Sequence, residues 1–240
     1  MIRYLIPFLL GAWPALAGLC DMDDETLLWS SCDDPRIHLR LMPEDAGPTP
    51  ENALDVTGAY TATDNRKNGA PKPVGLFVRN GEIISREYVR FDGLLTVSSE
   101  GKPKLHYRRA VAADDMRLDL ENPDQRKLVL ERMEQSGGSL LQSHLLIIAG
   151  KVDTAPIAGA PLFTRRILFE TYEGHLGLYQ SPFPLTLDLA ARDVARRFNP
   201  KMALNLDMGS YDYCRKGASQ CGVLTDGETA KLSNLIRLMN

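Results

Sequence analysis

The sequence predicts an α+β fold, with a mixed, largely antiparallel sheet and a few packed helices. Three observations carry that expectation. Asn80-Gly81 stands between two short apolar runs, which is the strongest local signature of a β-hairpin. Two further pairs of strand-like runs meet at Glu100-Gly101 and at Glu173-Gly174. The helical stretches are few and do not alternate regularly with strands, which argues against a doubly wound parallel sheet. No repeat of twenty to fifty residues is present.

Taken in order, residues 1–17 read as a secretory signal peptide. A basic start at Arg3 leads into apolar residues 5–16 and a small-x-small site at Ala15-Leu16-Ala17. The stretch is too short to span a bilayer, and no later apolar run is long enough. Cys20 follows Leu19 rather than a small residue, so cleavage near Ala17 is expected instead of lipidation. The mature chain is then periplasmic or secreted, and long enough for one domain with a full core. Net charge is −3 with histidines neutral, and the leader carries only Arg3. That mild acidity argues against nucleic acid or an anionic membrane as a general partner. Four cysteines allow three pairings, and the two local ones, Cys20–Cys32 and Cys214–Cys221, fit an exported chain.

Residues 18–55 read as an N-terminal cap segment with a disulfide, and residues 56–240 as the main domain. Within the cap, Asp21, Asp23, Asp24 and Glu25 form a solvated acidic face, and residues 37–41 alternate as a strand. Residues 56–60 form a short strand interrupted by Gly58, and the polar, proline-containing residues 61–73 read as a surface loop. Hairpins follow at 74–84 and 94–107. Asn122-Pro123 opens a helix that Gly137-Gly138 ends. Residues 140–149 read as one buried strand, with His144 a core residue. A hairpin over 165–179 precedes an amphipathic helix over 185–198. On that helix Arg192, Arg196 and Arg197 make a solvated face. Met202 to Leu206 is a buried strand that Asp207 ends. Asp226 caps a last helix, with Leu232, Leu235, Ile236 and Met239 at helical spacing.

No glycine-rich nucleotide loop, HExxH, GxSxG or CxxC occurs, and the four histidines are scattered. Carboxylates, arginines and polar strand-end residues remain. That set suits chemistry on sugars or phosphates. A carboxylate can stabilise positive charge at an anomeric carbon, and an arginine can grip phosphate oxygens bidentately. Asp207 followed by Gly209-Ser210 places a carboxylate at the end of a strand, where it can be held at the lip of a pocket; an acid-glycine loop that only turns the chain has the same pattern.

Four blocks in order resemble the phosphodiester glycosidase family. They are Val56-Thr57-Gly58-Ala59-Tyr60, residues 74–81, residues 141–150 with Gln142-Ser143, and residues 187–210 with Ala203-Leu204-Asn205-Leu206-Asp207. The resemblance implies an exported hydrolase that cleaves between a sugar's anomeric carbon and a phosphate, in an envelope or extracellular glycan. It implies Asp207 as the catalytic carboxylate and Arg165 or Arg166 as the phosphate anchor, with the choice between the arginines left open. Asn205, Gly209, Ser210, Gly58, Tyr60 and Thr57 would line the substrate pocket. No cofactor is implied; a calcium or magnesium ion held by Asp207, Asp212 and the acids at 21–25 is a weaker option. The chain departs from the family pattern at Thr57, Ala59, His144, Leu145, Met208 and Tyr211. Those departures keep an alternative in view, a non-catalytic glycan- or protein-binding module on the same fold.

Overall fold

Strand pairing sorts the chain into three larger sheets. The computed structural model describes residues 19–64, 69–113 and 116–240; the expected signal peptide lies outside them. The first sheet orders Leu27–Ser31, Leu176–Gln180, Arg166–Glu170, Met202–Asn205, Leu145–Ile148 and Lys151–Val152. The second orders Glu82–Ser85, Phe77–Arg79, Ser139–Ser143, Gly93–Val97 and Pro103–Tyr107. The third orders Ser219–Gln220, Cys214–Lys216, Ala53–Thr57, Asn234–Met239 and Arg36–Leu41. Every pairing within these sheets, among the described residues, is antiparallel. The expected α+β class holds.

The sheets wrap one core. Ile37, Leu54 and Val56 enter it from the third sheet, Phe77, Leu95 and Leu141 from the second, and Leu168, Leu178 and Leu204 from the first. Successive strand residues point to opposite faces, so each sheet has an outer face to cover as well. Helix α1, Pro123–Ser136, lays Val129 and Leu130 over Val78, Leu94 and Leu140. Helix α2, Leu187–Phe198, lays Ala190, Ala191, Val194 and Phe198 over Ile147, Ile167 and Phe169. On the third sheet Leu232 and Leu235 meet Met42, Tyr213 and Leu224. Each fully buried Leu or Phe contributes on the order of 2 kcal/mol.

Local chemistry sets the boundaries. Asn122 Oδ1 accepts from the N–H groups of Asp124 and Gln125, and Pro123 starts α1 where its missing N–H is harmless. Thr186 caps α2. That helix begins at Leu187 rather than Leu185, because Leu185 bridges to Phe163. Asn80 and Gly81 both have positive φ, 49° and 82°, as the Phe77–Arg79 to Glu82–Ser85 turn requires. Both expected disulfides are present, Cys20–Cys32 and Cys214–Cys221.

Several expectations are corrected. The predicted last helix is a 3-10 turn over Asp226–Lys231, capped by Thr225, followed by the central strand Asn234–Met239. Leu235 faces the outer cluster while Ile236 and Leu238 face the core. A strand buried on both faces reads as a continuous apolar run, so its helical spacing was a coincidence. The single strand expected over 140–149 is two, broken at His144 where the chain passes from the second sheet to the first. The loop expected over 61–73 carries a short hairpin, Thr61–Asp64 with Ala70–Pro73. The segment set apart as a cap supplies Leu27–Ser31 and Arg36–Leu41 to two of the sheets.

Candidate functional site

Strand ends from all three sheets meet at one corner. Met202–Asn205 runs out into Leu206 and Asp207; Ala53–Thr57 runs out into Gly58, Ala59 and Tyr60; Phe91 and Asp92 lead into Gly93–Val97. Backbone bonds lock these ends together. Asp207 N–H donates to the Gly58 carbonyl at 2.9 Å, and Asn205 N–H to the His144 carbonyl at 2.8 Å. Leu145 N–H donates to Asp92 Oδ1 at 2.8 Å.

The turn that presents Tyr60 depends on Gly58 and Asn234. A Cβ on Gly58 would lie 2.5 Å from Asn234 Oδ1 and 2.9 Å from Ile236 Cγ1. Without it, the Asn234 amide closes on Ala59, accepting its N–H at 2.7 Å and donating to its carbonyl at 3.0 Å. A fully buried side chain thereby serves as the strand partner Ala59 lacks.

Asp207 is 5% exposed. Its Oδ2 accepts from Thr61 N–H and its Oδ1 from Met208 N–H, each at 2.9 Å. Burial pushes its carboxyl up to about 6, against the opposing pull of those bonds. Beside it, Asn205 Nδ2 donates to Tyr60 Oη at 2.5 Å and to the Leu206 carbonyl at 3.0 Å. The second bond fixes which way round the amide sits, and leaves Asn205 Oδ1 buried without a partner at 1% residue exposure. Tyr60 accepts from Asn205, so its own proton is left for another acceptor. Burial and then the Asp207 charge raise the phenol to about 12, which keeps that proton in place.

The two candidate arginines differ. Arg166 is fully buried; it donates to Asp212 Oδ1 at 2.8 Å, to Gln180 Oε1 and to the Tyr213 carbonyl. Its guanidinium is wholly engaged in holding the strand to the loop after Asp207. The Arg165 guanidinium bonds only carbonyls, those of Leu185 and Pro161, and lies 5.1 Å from the Phe163 ring centre. It has no carboxylate partner among the described residues. Burial lowers its pKa, and its charge acts on Tyr60 with a sign opposite to that of Asp207. Tyr60 therefore sits in the fields of an unpaired carboxyl and an unpaired guanidinium.

Of the other residues singled out in the sequence, Thr57 is turned inward, accepting from Tyr213 N–H at 3.1 Å and donating to the Tyr211 carbonyl. Gly209 begins a 3-10 turn beside the Phe163 ring, and Ser210 in that turn is exposed. Met208 is buried. The acids offered for a calcium or magnesium ion are apart: Asp212 meets Arg166, and Asp24 meets Thr26 and Arg197. No group of three ligating side chains gathers among the described residues. The solvated arginines of α2 form ion pairs with Asp188 and Asp193.

Sequence reasoning missed Asn234, Phe91, Asp92 and Phe163, and placed His144 in the core. The His144 side chain is 44% exposed and lies 3.6 Å from Asp92 Oδ1. Asn234, an amide inside an apolar run, was the one signal that could have marked its role; Phe91-Asp92-Gly93 reads as nothing more than the entry to a strand.

Neither a protein-family model nor a curated protein sequence matches the chain. Solved structures match its fold. The catalytic domain of zebrafish N-acetylglucosamine-1-phosphodiester alpha-N-acetylglucosaminidase, auto-inhibited by its pro-peptide, superposes with a TM-score of 0.53 at 12% identity, over 86% of this chain and 73% of that one. A Burkholderia pseudomallei protein described as exported gives 0.56 at 12% identity, over 86% and 71%. A hypothetical protein from Synechocystis gives 0.50 at 12% identity, over 86% and 57%. The chain shares an architecture with these proteins. The two disulfides are consistent with a location outside the cytoplasm. Among the described residues no helix is long and apolar enough to cross a membrane.

Proposed function

We propose that the chain is a periplasmic or secreted hydrolase that cleaves a glycosyl phosphodiester between the anomeric carbon and phosphate. The observation that carries this reading is a strand end where Asp207, held by the N–H groups of Thr61 and Met208, follows the Asn205 that bonds Tyr60, together with an Arg165 guanidinium that meets only carbonyls. As positive charge develops at the anomeric carbon, ionised Asp207 stabilises it, and its strand-end mounting means little reorganisation is needed. Arg165 binds the departing phosphate monoester, already a good leaving group, while a water molecule adds to the anomeric carbon and gives up its proton to solvent. The Tyr60 hydroxyl, which accepts from Asn205, keeps its own proton to offer a sugar hydroxyl. The fold shared with the zebrafish glycosidase supports the substrate class.

The test is release of sugar from a panel that includes the methyl ester of N-acetylglucosamine-1-phosphate. Asp207→Asn is expected to fold and to lose at least about a hundredfold in kcat. A folded variant with full turnover overturns the assignment.

One observation favours the alternative, a non-catalytic glycan-binding module: both Asp207 oxygens already accept backbone N–H groups. That reading expects saccharide binding by calorimetry and no turnover on any member of the panel.

A further inference from the structure

Three rings stand in a row at the same corner. The Tyr60 and Phe91 centroids are 5.0 Å apart, and the Phe91 and His144 centroids 5.1 Å apart. All three side chains are half-buried, so each keeps an accessible part. The backbone beneath them is firmly held. Gln142, fully buried, donates from Nε2 to the carbonyls of Val89 and Phe91 at 2.9 and 2.7 Å, while its Oε1 accepts from Leu76 N–H at 3.2 Å. Its amide is given over to positioning the segment that carries Phe91. Asp92 is anchored by Leu145 N–H and stands beside His144. Asn234 fixes the Tyr60 turn at the other end.

We propose that the row Tyr60–Phe91–His144, with Asp92 at its far end, is a subsite for a neutral saccharide unit adjoining the bond that Asp207 faces. It deepens the function proposed above and rests on it for the position of the reacting bond, though not for binding itself. A pyranose has an apolar face of C–H groups and a rim of hydroxyls. Tilted aromatic faces about 5 Å apart match the first. The second needs polar groups at the ring edges, which Tyr60 Oη, the His144 imidazole and the Asp92 carboxylate supply. Charge selects a neutral unit over a second phosphate. The far end of the row carries Asp92 beside His144, whereas the Arg165 guanidinium, whose charge is felt at Tyr60, lies with Phe163 at the opposite end. The substrate class is thus a glycosyl phosphodiester whose saccharide extends beyond one unit.

The experiment titrates the full exported chain with chitotriose, cellotriose and maltotriose by calorimetry, alongside turnover of the methyl ester used above. At least one trisaccharide is expected to bind, and Phe91→Ala and His144→Ala to weaken it about tenfold each. Phe91→Leu, which keeps apolar volume but not the flat face, is expected to weaken it as well, with an unchanged melting temperature reporting an intact fold. Tyr172→Ala, at an aromatic residue 57% exposed on another loop, is the control and leaves binding unchanged. No binding of any trisaccharide, or equal binding by wild type and both Phe91 variants, overturns the subsite. Turnover that depends on Asp207 survives that result, so the hydrolase reading stands or falls separately. Trisaccharide binding lost in the Phe91 variants, with no turnover anywhere, supports the subsite and removes the hydrolase.

Discussion

Asp55 lies in the middle of Ala53–Thr57, and Asp207 lies just beyond the end of Met202–Asn205. Both carboxylates are withdrawn from water, at 0% and 5% exposure. Their surroundings differ. Asp55 Oδ2 accepts from Arg40 at 2.6 Å, Arg237 at 2.8 Å and Thr49 at 2.8 Å, and its Oδ1 accepts from Arg237 Nε at 2.8 Å. Asp207 has two backbone N–H groups and no cation. The same contrast separates Arg166, which meets Asp212, from Arg165, which meets only carbonyls. Charges in the scaffold are neutralised by partners from other strands and loops. Asp207 and Arg165 are held in place without a charged partner, an arrangement that costs stability.

The comparison can be broken most directly at Asp55. Asp55→Ala strands Arg40 and Arg237 and is expected to lower stability by about 3–5 kcal/mol in urea unfolding at pH 7. A loss below about 1 kcal/mol would mean that the scaffold pair is no better matched than the site.

The next effect is a pH dependence. The Asp207 carboxyl titrates near 6 when folded against an ordinary 3.8. The folded state therefore holds that proton more tightly, so stability falls as pH rises from about 4 to about 6, by roughly 3 kcal/mol. Asp207→Asn lacks a titrating group there. Its unfolding free energy, compared with wild type at pH 4 and pH 7, is expected to show a smaller fall by that amount. Parallel curves would place Asp207 among the ordinary carboxylates.

The smallest effect is at Arg165. Arg165→Gln strands no carboxylate, so a stability loss of only about 1 kcal/mol is expected. Inorganic phosphate should raise the melting temperature of wild type and not of the variant. Protection that persists in Arg165→Gln removes the anion-anchor role.

Much of the fold was legible where the signal was local. Asn80-Gly81 specifies a turn whose two residues both take positive φ, and Asn122-Pro123 satisfies the first N–H groups of α1 within one turn of chain. The four cysteines, closely spaced in pairs, closed as expected. The C-terminal strand was not legible, because a strand buried on both faces loses the alternation that marks strands. His144 was misplaced for a related reason: its apolar neighbours belong to two different sheets, and the residue at the break faces outward.

By itself, then, the sequence determined an α+β chain with two cross-links, its main hairpin turns, the Asn122 cap of α1 and a carboxylate at a strand end, since each depends on residues within a few positions of one another. Tertiary structure alone decided which arginine stayed unpaired, that Asn234 from the last strand would hold the Tyr60 turn, and that three rings would line up beside Asp207. Whether a charge is paired or exposed depends on which strands become neighbours. Those neighbours are brought together by the shared core across more than a hundred residues, for which adjacent residues carry no code.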